Sequence, residues 1–198
     1  MRTAAVFFAD GFEEIEALSP VDYLRRAGVN VITVAVPSPT TKDKYVVTSS
    51  HKVPMIMDLT LDEYLAEYGK TLPDCVVLPG GSTGADNLAA CTKLLEHLEA
   101  CYAAGKLTAA ICASPAVVFG KTNILKDKKW TCYPDMESCA NPAYLPGYSN
   151  KVFLTDGNLV TSRGPGASEQ FAMELVKLLV NEETAKKIQI GTQQRPTS

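Results

Sequence analysis

Cys112 is the residue of this sequence whose surroundings most strongly suggest chemistry. It follows the apolar segment 107–111 and precedes Ala113, Ser114 and Pro115, where small side chains permit a tight turn and proline suits the first turn of a helix. A thiol at the N-terminus of a helix meets the positive end of the helix dipole, which lowers its pKa and favours the thiolate. We therefore predict a reactive cysteine on a sharp strand-to-helix turn.

Glu16 is a candidate acid–base partner for that thiol. It lies early in a stretch with helical spacing that follows a short turn after the apolar segment 4–9, whereas Glu13 and Glu14 suit the exposed first turn of the helix. Two interpretations of Glu16 stay open. It is either a third solvated acid, or a buried group beside Cys112 whose pKa rises and which acts as a general acid and base.

Gly80 and Gly81 form a third candidate segment, directly after another apolar stretch and Pro79. Their backbone N–H groups have no side chain in the way, and together with the N–H of Ala113 they could form an oxyanion hole. The alternative is an ordinary turn after a strand.

Histidines and paired cysteines are scarce. The two histidines, His51 and His97, both precede Cys112, which argues against a Cys-His-Asp or Cys-His-Glu triad. No two of the six cysteines have the C-x2-C spacing of zinc sites, so we predict no metal and no cofactor. Apart from Cys112, the cysteines are expected to be reduced and unreactive: Cys75, Cys91, Cys101, Cys132 and Cys139.

Alternating strand and helix patterns position the three segments. Apolar runs typical of buried strands occur at residues 4–9, 31–36, 74–78 and 107–111. Helical spacing occurs at residues 15–27, 61–68, 88–104, 114–119 and from Ser168, as the cap, to about 180. Hairpins are indicated at 45–57, where Pro54 favours an edge strand, and at 152–161.

This order predicts a single α/β domain over residues 1–190 with a mostly parallel sheet, followed by a loose tail over 191–198. The carboxyl ends of parallel strands share one edge of the sheet, where ligands bind. We therefore expect the segments after the first, third and fourth strands to converge on one crevice.

Charge and hydropathy restrict the partners. The formal net charge is -3 with acidic and basic residues interspersed, so we expect neither nucleic acid nor an anionic membrane as a partner. No segment approaches the roughly 18 apolar residues of a membrane span, and the N-terminal residues lack a signal-peptide pattern. The expected location is cytoplasmic.

Four segments in order carry a resemblance to a known family: residues 9–16 (ADGFEEIE), 77–81 (VLPGG), 110–115 (AICASP) and 161–166 (TSRGPG). With them the chain, from about residue 3 to 180, resembles the ThiJ/PfpI superfamily, in particular the branch of the human parkinsonism-associated protein deglycase and its bacterial relatives.

The resemblance implies a flavodoxin-like three-layer sandwich that forms a homodimer, with Arg26 and the first hairpin as candidates for the dimer surface. It implies Cys112 as the nucleophile, Glu16 as its acid–base partner, and Gly81 and Ala113 as oxyanion-hole donors. Reported activities of the family are cofactor-independent glyoxalase, protein deglycase, oxidative-stress sensor and chaperone.

The sequence also departs from the family pattern. Many members carry a histidine in the region after the elbow, where this chain has Tyr133, a poor base near neutral pH. His51 stands where some members have an arginine. With Gly80 and Ser114, Tyr133 completes the predicted pocket.

Three hypotheses follow. The first is an enzyme that converts an α-oxoaldehyde such as methylglyoxal to lactate through Cys112 and Glu16. The second is a redox sensor or chaperone that acts through oxidation of Cys112. The third is a purely structural role in which the fold is kept and Cys112 takes part in no reaction. For the enzyme, a further alternative is another lyase or hydrolase of the superfamily acting on small molecules.

Overall fold

Two sheets organise the chain, whose computed structural model describes residues 1–194. The larger sheet has seven strands in the order β5-β2-β1-β6-β7-β9-β8, all parallel except β8, which is antiparallel to β9. The smaller sheet is the antiparallel pair β3–β4. The strands are β1 (Thr3–Phe8), β2 (Asn30–Ala35), β3 (Val46–Thr48), β4 (Pro54–Ile56), β5 (Leu59–Thr60), β6 (Cys75–Leu78), β7 (Leu107–Ile111), β8 (Phe153–Asp156) and β9 (Leu159–Ser162).

Within residues 1–194 the structure contains seven α-helices. They are α1 (Glu14–Arg26), α2 (Leu61–Tyr68), α3 (Ser82–Ala89), α4 (Thr92–Ala103), α5 (Ser114–Val117), α6 (Ser168–Leu179) and α7 (Glu182–Gly191). Helix α1 packs against α6, and α6 against α7, on one face, while α2, α3 and α4 pack on the other. The predicted three-layer α/β sandwich with a mostly parallel sheet is confirmed.

The centre of the larger sheet positions the three candidate segments. β1, β6 and β7 are neighbours, and apart from the ends of β1 and β7 their residues are buried, because helices cover both faces of the sheet. Each strand runs directly into one of the segments singled out from the sequence. The expected convergence at one edge of the sheet is therefore confirmed.

Two helices differ from the sequence-based prediction. The predicted helix 88–104 is in fact two helices, because α3 ends at Ala89 and α4 begins at Thr92. Helix α3 was missed because its residues, STGADNLA, are mostly small or polar and have no clear apolar periodicity. Helix α7 was also missed, although the side chain of Asn181 accepts a hydrogen bond from Thr184 N, as an N-cap residue does.

Smaller differences concern the start of α6 and the C-terminal end of the chain. Ala167 is the N-cap of α6, and Ser168 is its first residue, so the prediction of Ser168 as the cap is wrong. The predicted tail, 191–198, begins with the last residue of α7, and residues 195–198 lie outside the described part of the chain.

None of the helices within residues 1–194 has the length and apolar character needed to cross a membrane.

Candidate active site

Cys112 lies on a strained turn between β7 and α5. Its φ is +65°, in the left-handed region that residues other than glycine rarely adopt. Two backbone hydrogen bonds hold this conformation: Cys112 N donates to Ser162 O at 2.9 Å, and Tyr133 N donates to Cys112 O at 2.8 Å. Cys112 is 8% exposed as a whole residue, so it is largely buried at the end of β7.

Glu16 is completely buried beside Cys112, and the interpretation as a solvated acid is therefore excluded. The N-cap of α1, Glu13, accepts a hydrogen bond from Glu16 N at 2.8 Å and so fixes the start of the helix. Glu16 Oε2 accepts a hydrogen bond from Gly80 N at 2.8 Å, whereas Oε1 has no partner among the described residues. Oε1 is therefore a buried oxygen whose hydrogen-bonding capacity is unused by the described residues.

Burial controls the ionisation of both groups. Burial raises the pKa of Glu16 to about 7, although hydrogen bonds with Cys112 and Gly80 oppose the rise. Burial and, to a smaller extent, the neighbouring Glu16 carboxyl together raise the pKa of Cys112 to about 12, although the backbone N–H groups of Gly81 and Ala113 oppose the rise. The predicted lowering of the Cys112 pKa is thus wrong in direction. The opposite direction results from burial and from the adjacent Glu16 carboxyl, neither of which is visible in the local sequence around Cys112.

Gly80 and Gly81 bring the β6 segment into contact with both groups. The N–H groups of Gly81 and Ala113 face the Cys112 sulfur and favour its ionised form, while their role as oxyanion-hole donors stays a prediction. A Cβ on Gly80 would lie 2.6 Å from Cys112 Cβ and 2.7 Å from Glu16 Oε2. Glycine is therefore required at position 80 for the carboxyl and the thiol to approach each other.

Ser114 and Tyr133, the other predicted pocket residues, occupy different positions. Ser114 is completely buried and donates its hydroxyl to Pro79 O at 2.5 Å, so it lies beneath the crevice rather than in its wall. Tyr133 is 47% exposed and lines a neighbouring cleft of about 480 Å³ together with Arg163 and Pro165.

Comparison with known proteins gives the family. The sequence model described as the DJ-1/PfpI family matches residues 2–178. The chain belongs to the DJ-1/PfpI family. Among its relatives, Protein DJ-1 homolog B of Arabidopsis thaliana is 40% identical over 184 residues, and Protein dj-1beta of Drosophila melanogaster is 33% identical over 193 residues.

The extent of these matches differs. They cover 93% and 96% of this chain, and 39% and 96% of the Arabidopsis and Drosophila proteins, so the chain spans about two fifths of the plant relative. A solved structure described as Toxoplasma gondii DJ-1, oxidized, has a TM-score of 0.88 at 33% identity and covers 98% of both chains. These similarities agree with the flavodoxin-like fold predicted from the four motifs.

One group of side chains in this DJ-1/PfpI chain has the composition of a metal site. Within the described residues, the ligand atoms of Glu13, Glu14 and His51 lie within 4.8 Å of one another. Each carboxylate is already engaged, because Glu13 caps α1 and Glu14 accepts hydrogen bonds from the β3–β4 turn, including His51 Nδ1 at 2.9 Å. The cluster therefore serves to attach the hairpin to α1.

Ser162 is a site residue whose role is not evident from the sequence. Its carbonyl anchors the N–H of Cys112, because the parallel register of β7 and β9 pairs Ile111 with Ser162. The TSRGPG motif contains this residue, but its role depends on strand pairing that the sequence alone does not reveal.

Proposed function

We propose that this protein is a cofactor-independent enzyme that converts small α-oxoaldehydes to 2-hydroxy acids, with methylglyoxal to lactate as the reference reaction. The observation that carries the proposal is the buried contact between the Cys112 thiol and the Glu16 carboxyl, with the Gly81 and Ala113 amides beside the sulfur. A nucleophile, an acid–base group and anion-stabilising donors thus converge on one crevice.

The first step is addition of the thiol to the aldehyde. Because the Cys112 pKa is raised to about 12, the sulfur carries its proton at neutral pH when Glu16 is ionised. The Glu16 carboxylate accepts that proton as the C–S bond forms and passes it to the aldehyde oxygen. The product is a hemithioacetal, and the amides of Gly81 and Ala113 stabilise its oxygen as negative charge develops.

The second step is an internal redox isomerisation followed by hydrolysis. Glu16 removes the proton from the former aldehyde carbon, which gives an enediol, and returns a proton to the adjacent carbon. The aldehyde carbon is oxidised to a thioester while the ketone carbon is reduced to an alcohol, so no external oxidant is needed. Water cleaves the thioester, releasing lactate and regenerating the thiol.

The test is lactate formation from methylglyoxal in the absence of glutathione. We expect Cys112→Ala to lower kcat/KM by at least about 1,000-fold and Glu16→Gln by about 100-fold or more, with Cys139→Ala, an exposed cysteine, as the control. The rate should rise with pH through about 7 as Glu16 becomes the base. Full activity of Cys112→Ala would refute the mechanism.

A second candidate function is oxidation sensing by the same thiol, which the resemblance to a solved relative described as oxidized favours. Two equivalents of hydrogen peroxide would convert the thiol to the sulfinic acid with release of two waters. The protonated Glu16 carboxyl would donate a hydrogen bond to the sulfinate. Accessibility alone would favour the exposed Cys139, so the selectivity for Cys112 would come from the adjacent Glu16 carboxyl.

Mass spectrometry after mild peroxide treatment tests this second function. We expect a gain of two oxygen atoms on Cys112 before any other cysteine reacts. Equal oxidation of all six cysteines would contradict selective sensing, and unchanged peroxide reactivity of Cys112 in Glu16→Gln would contradict the role given to the carboxyl.

A further inference from the structure

Ser114 makes a hydrogen bond that links the elbow to the acid–base group. The residue is completely buried, and its Oγ donates to Pro79 O at 2.5 Å. On the other side of the same peptide bond, Gly80 N donates to Glu16 Oε2 at 2.8 Å. The carbonyl of Pro79 and the N–H of Gly80 belong to one planar peptide group, so the two hydrogen bonds hold opposite ends of a single rigid unit.

We propose that Ser114 is a positioning residue that acts on Glu16 through the peptide group between Pro79 and Gly80. The hydroxyl fixes the orientation of this peptide group and thereby aims the Gly80 N–H at Oε2. It also polarises the carbonyl, which strengthens the N–H at the other end as a donor, because hydrogen bonds in a chain reinforce one another. The inference deepens the proposed function, since it rests on Glu16 acting as acid and base.

The surroundings of Glu16 set the direction of the effect. The groups that face its carboxyl are the sulfur of Cys112, the N–H of Gly80 and the carboxylate of Glu13. Of these, the Cys112 thiol and the Gly80 N–H favour the ionised form, and Glu13 opposes it. Loss of the Ser114 hydroxyl weakens the Gly80 donor, so the Glu16 pKa should rise further above its usual range.

A purely structural role for Ser114 predicts something different. In that case removal of the hydroxyl leaves the Pro79 carbonyl without a partner and lowers stability, but the ionisation of Glu16 stays the same. The titration of Glu16 therefore separates the two roles, whereas a loss of stability does not.

The experiment is a carbon NMR titration of the Glu16 side-chain carboxyl in the labelled full chain, with the signal assigned by Glu16→Gln. We expect Ser114→Ala to raise the pKa of Glu16, which means that its acid dissociation constant falls about threefold, because the hydrogen bond from Gly80 is only partly weakened. Ser168→Ala is the matched control, because Ser168 is also the buried first residue of a helix but its Oγ has no partner among the described residues. Its midpoint should equal that of the wild type.

A second variant covers a failure of Ser114→Ala to fold. Ser114→Cys retains a weaker donor of similar size and should give a smaller shift in the same direction. An unchanged Glu16 midpoint in whichever of these two variants folds would overturn the inference. The titration needs no substrate, so it tests the role of Ser114 independently of enzyme activity. Absence of lactate formation would refute the proposed function, whereas only an unchanged Glu16 midpoint would refute the role of Ser114.

Discussion

At the scale of single residues, the buried Glu16 carboxyl destabilises the folded state when it is ionised. Its pKa is raised from 4.5 to about 7 in the fold because the carboxyl is buried. The folded protein therefore binds the Glu16 proton more tightly than the unfolded chain does. This proton contributes its full stabilisation below about pH 4.5, and the contribution is lost as the pH rises through about 7. The full loss is on the order of 3 kcal/mol.

Replacement of this carboxyl with an amide should remove that loss. We predict that Glu16→Gln is more stable than the wild type at pH 8 by up to ~3 kcal/mol and that the difference shrinks towards pH 5, where the wild-type carboxyl is protonated. Urea unfolding at the two pH values measures the free energies of unfolding. Glu96→Gln, at an exposed position of α4, is the control and should show no such trend. A stability difference independent of pH would contradict the raised pKa.

The sequence predicted the residues of the site better than their ionisation. Cys112, Glu16, Gly81 and Ala113 could be named because each follows a recognisable strand or motif. The pKa of Cys112 could not, since it depends on how deeply the crevice buries the sulfur and on the carboxyl beside it. Burial of Glu16 likewise depends on a hydrogen bond to Gly80, 64 positions away in the chain.

At the scale of elements, the close approach of three strand ends depends on the turn after β6. At Gly80 an added Cβ would lie 2.7 Å from Glu16 Oε2 and 3.0 Å from Cys112 Sγ, which is closer than such atoms can remain. With this added Cβ, either the turn moves away from the site or the Glu16 and Cys112 side chains are pushed apart. Only the site geometry is affected directly, because the β6 strand itself ends before Gly80.

We predict that Gly80→Ala folds and lowers kcat/KM for methylglyoxal by about 100-fold or more, since displacements near 1 Å have effects of that size. The activity assay and a thermal unfolding curve on the same preparation measure the two quantities. Gly191→Ala, at the end of α7 with no heavy atom within 4 Å of the added Cβ, should retain activity. Wild-type activity of a folded Gly80→Ala would show that the contact between Cys112 and Glu16 is not needed.

The elements themselves were predictable where burial made a simple pattern. The strands β1, β2, β6 and β7 were evident as apolar runs, because helices cover both faces of the sheet. Helix α3 was not evident because it is short, begins at Ser82 directly after the Gly80–Gly81 turn, and has no side-chain cap and no clear amphipathic pattern.

At the scale of the whole molecule, apolar side chains are exposed on two adjoining elements. Ile15 and Leu18 of α1 are 55% and 40% exposed, and Ile56 of β4 is 80% exposed. The hairpin is attached to α1 through Glu14, which accepts a hydrogen bond from Ser49 Oγ at 2.8 Å. Exposed apolar residues on adjoining elements are typical of an interaction surface, and the family resemblance implies a second copy of the chain as the partner.

We predict that the protein is a homodimer through this surface and that Ile56→Lys shifts it towards the monomer, because a buried ammonium group without a partner opposes association. Light scattering coupled to size-exclusion chromatography measures the mass across a dilution series. Leu178→Lys is the matched control, since Leu178 is 42% exposed but borders a cleft with Arg2 and Asn158 at the opposite edge of the sheet. A monomeric wild type would contradict the dimer, and a dimeric Ile56→Lys would place the interface elsewhere.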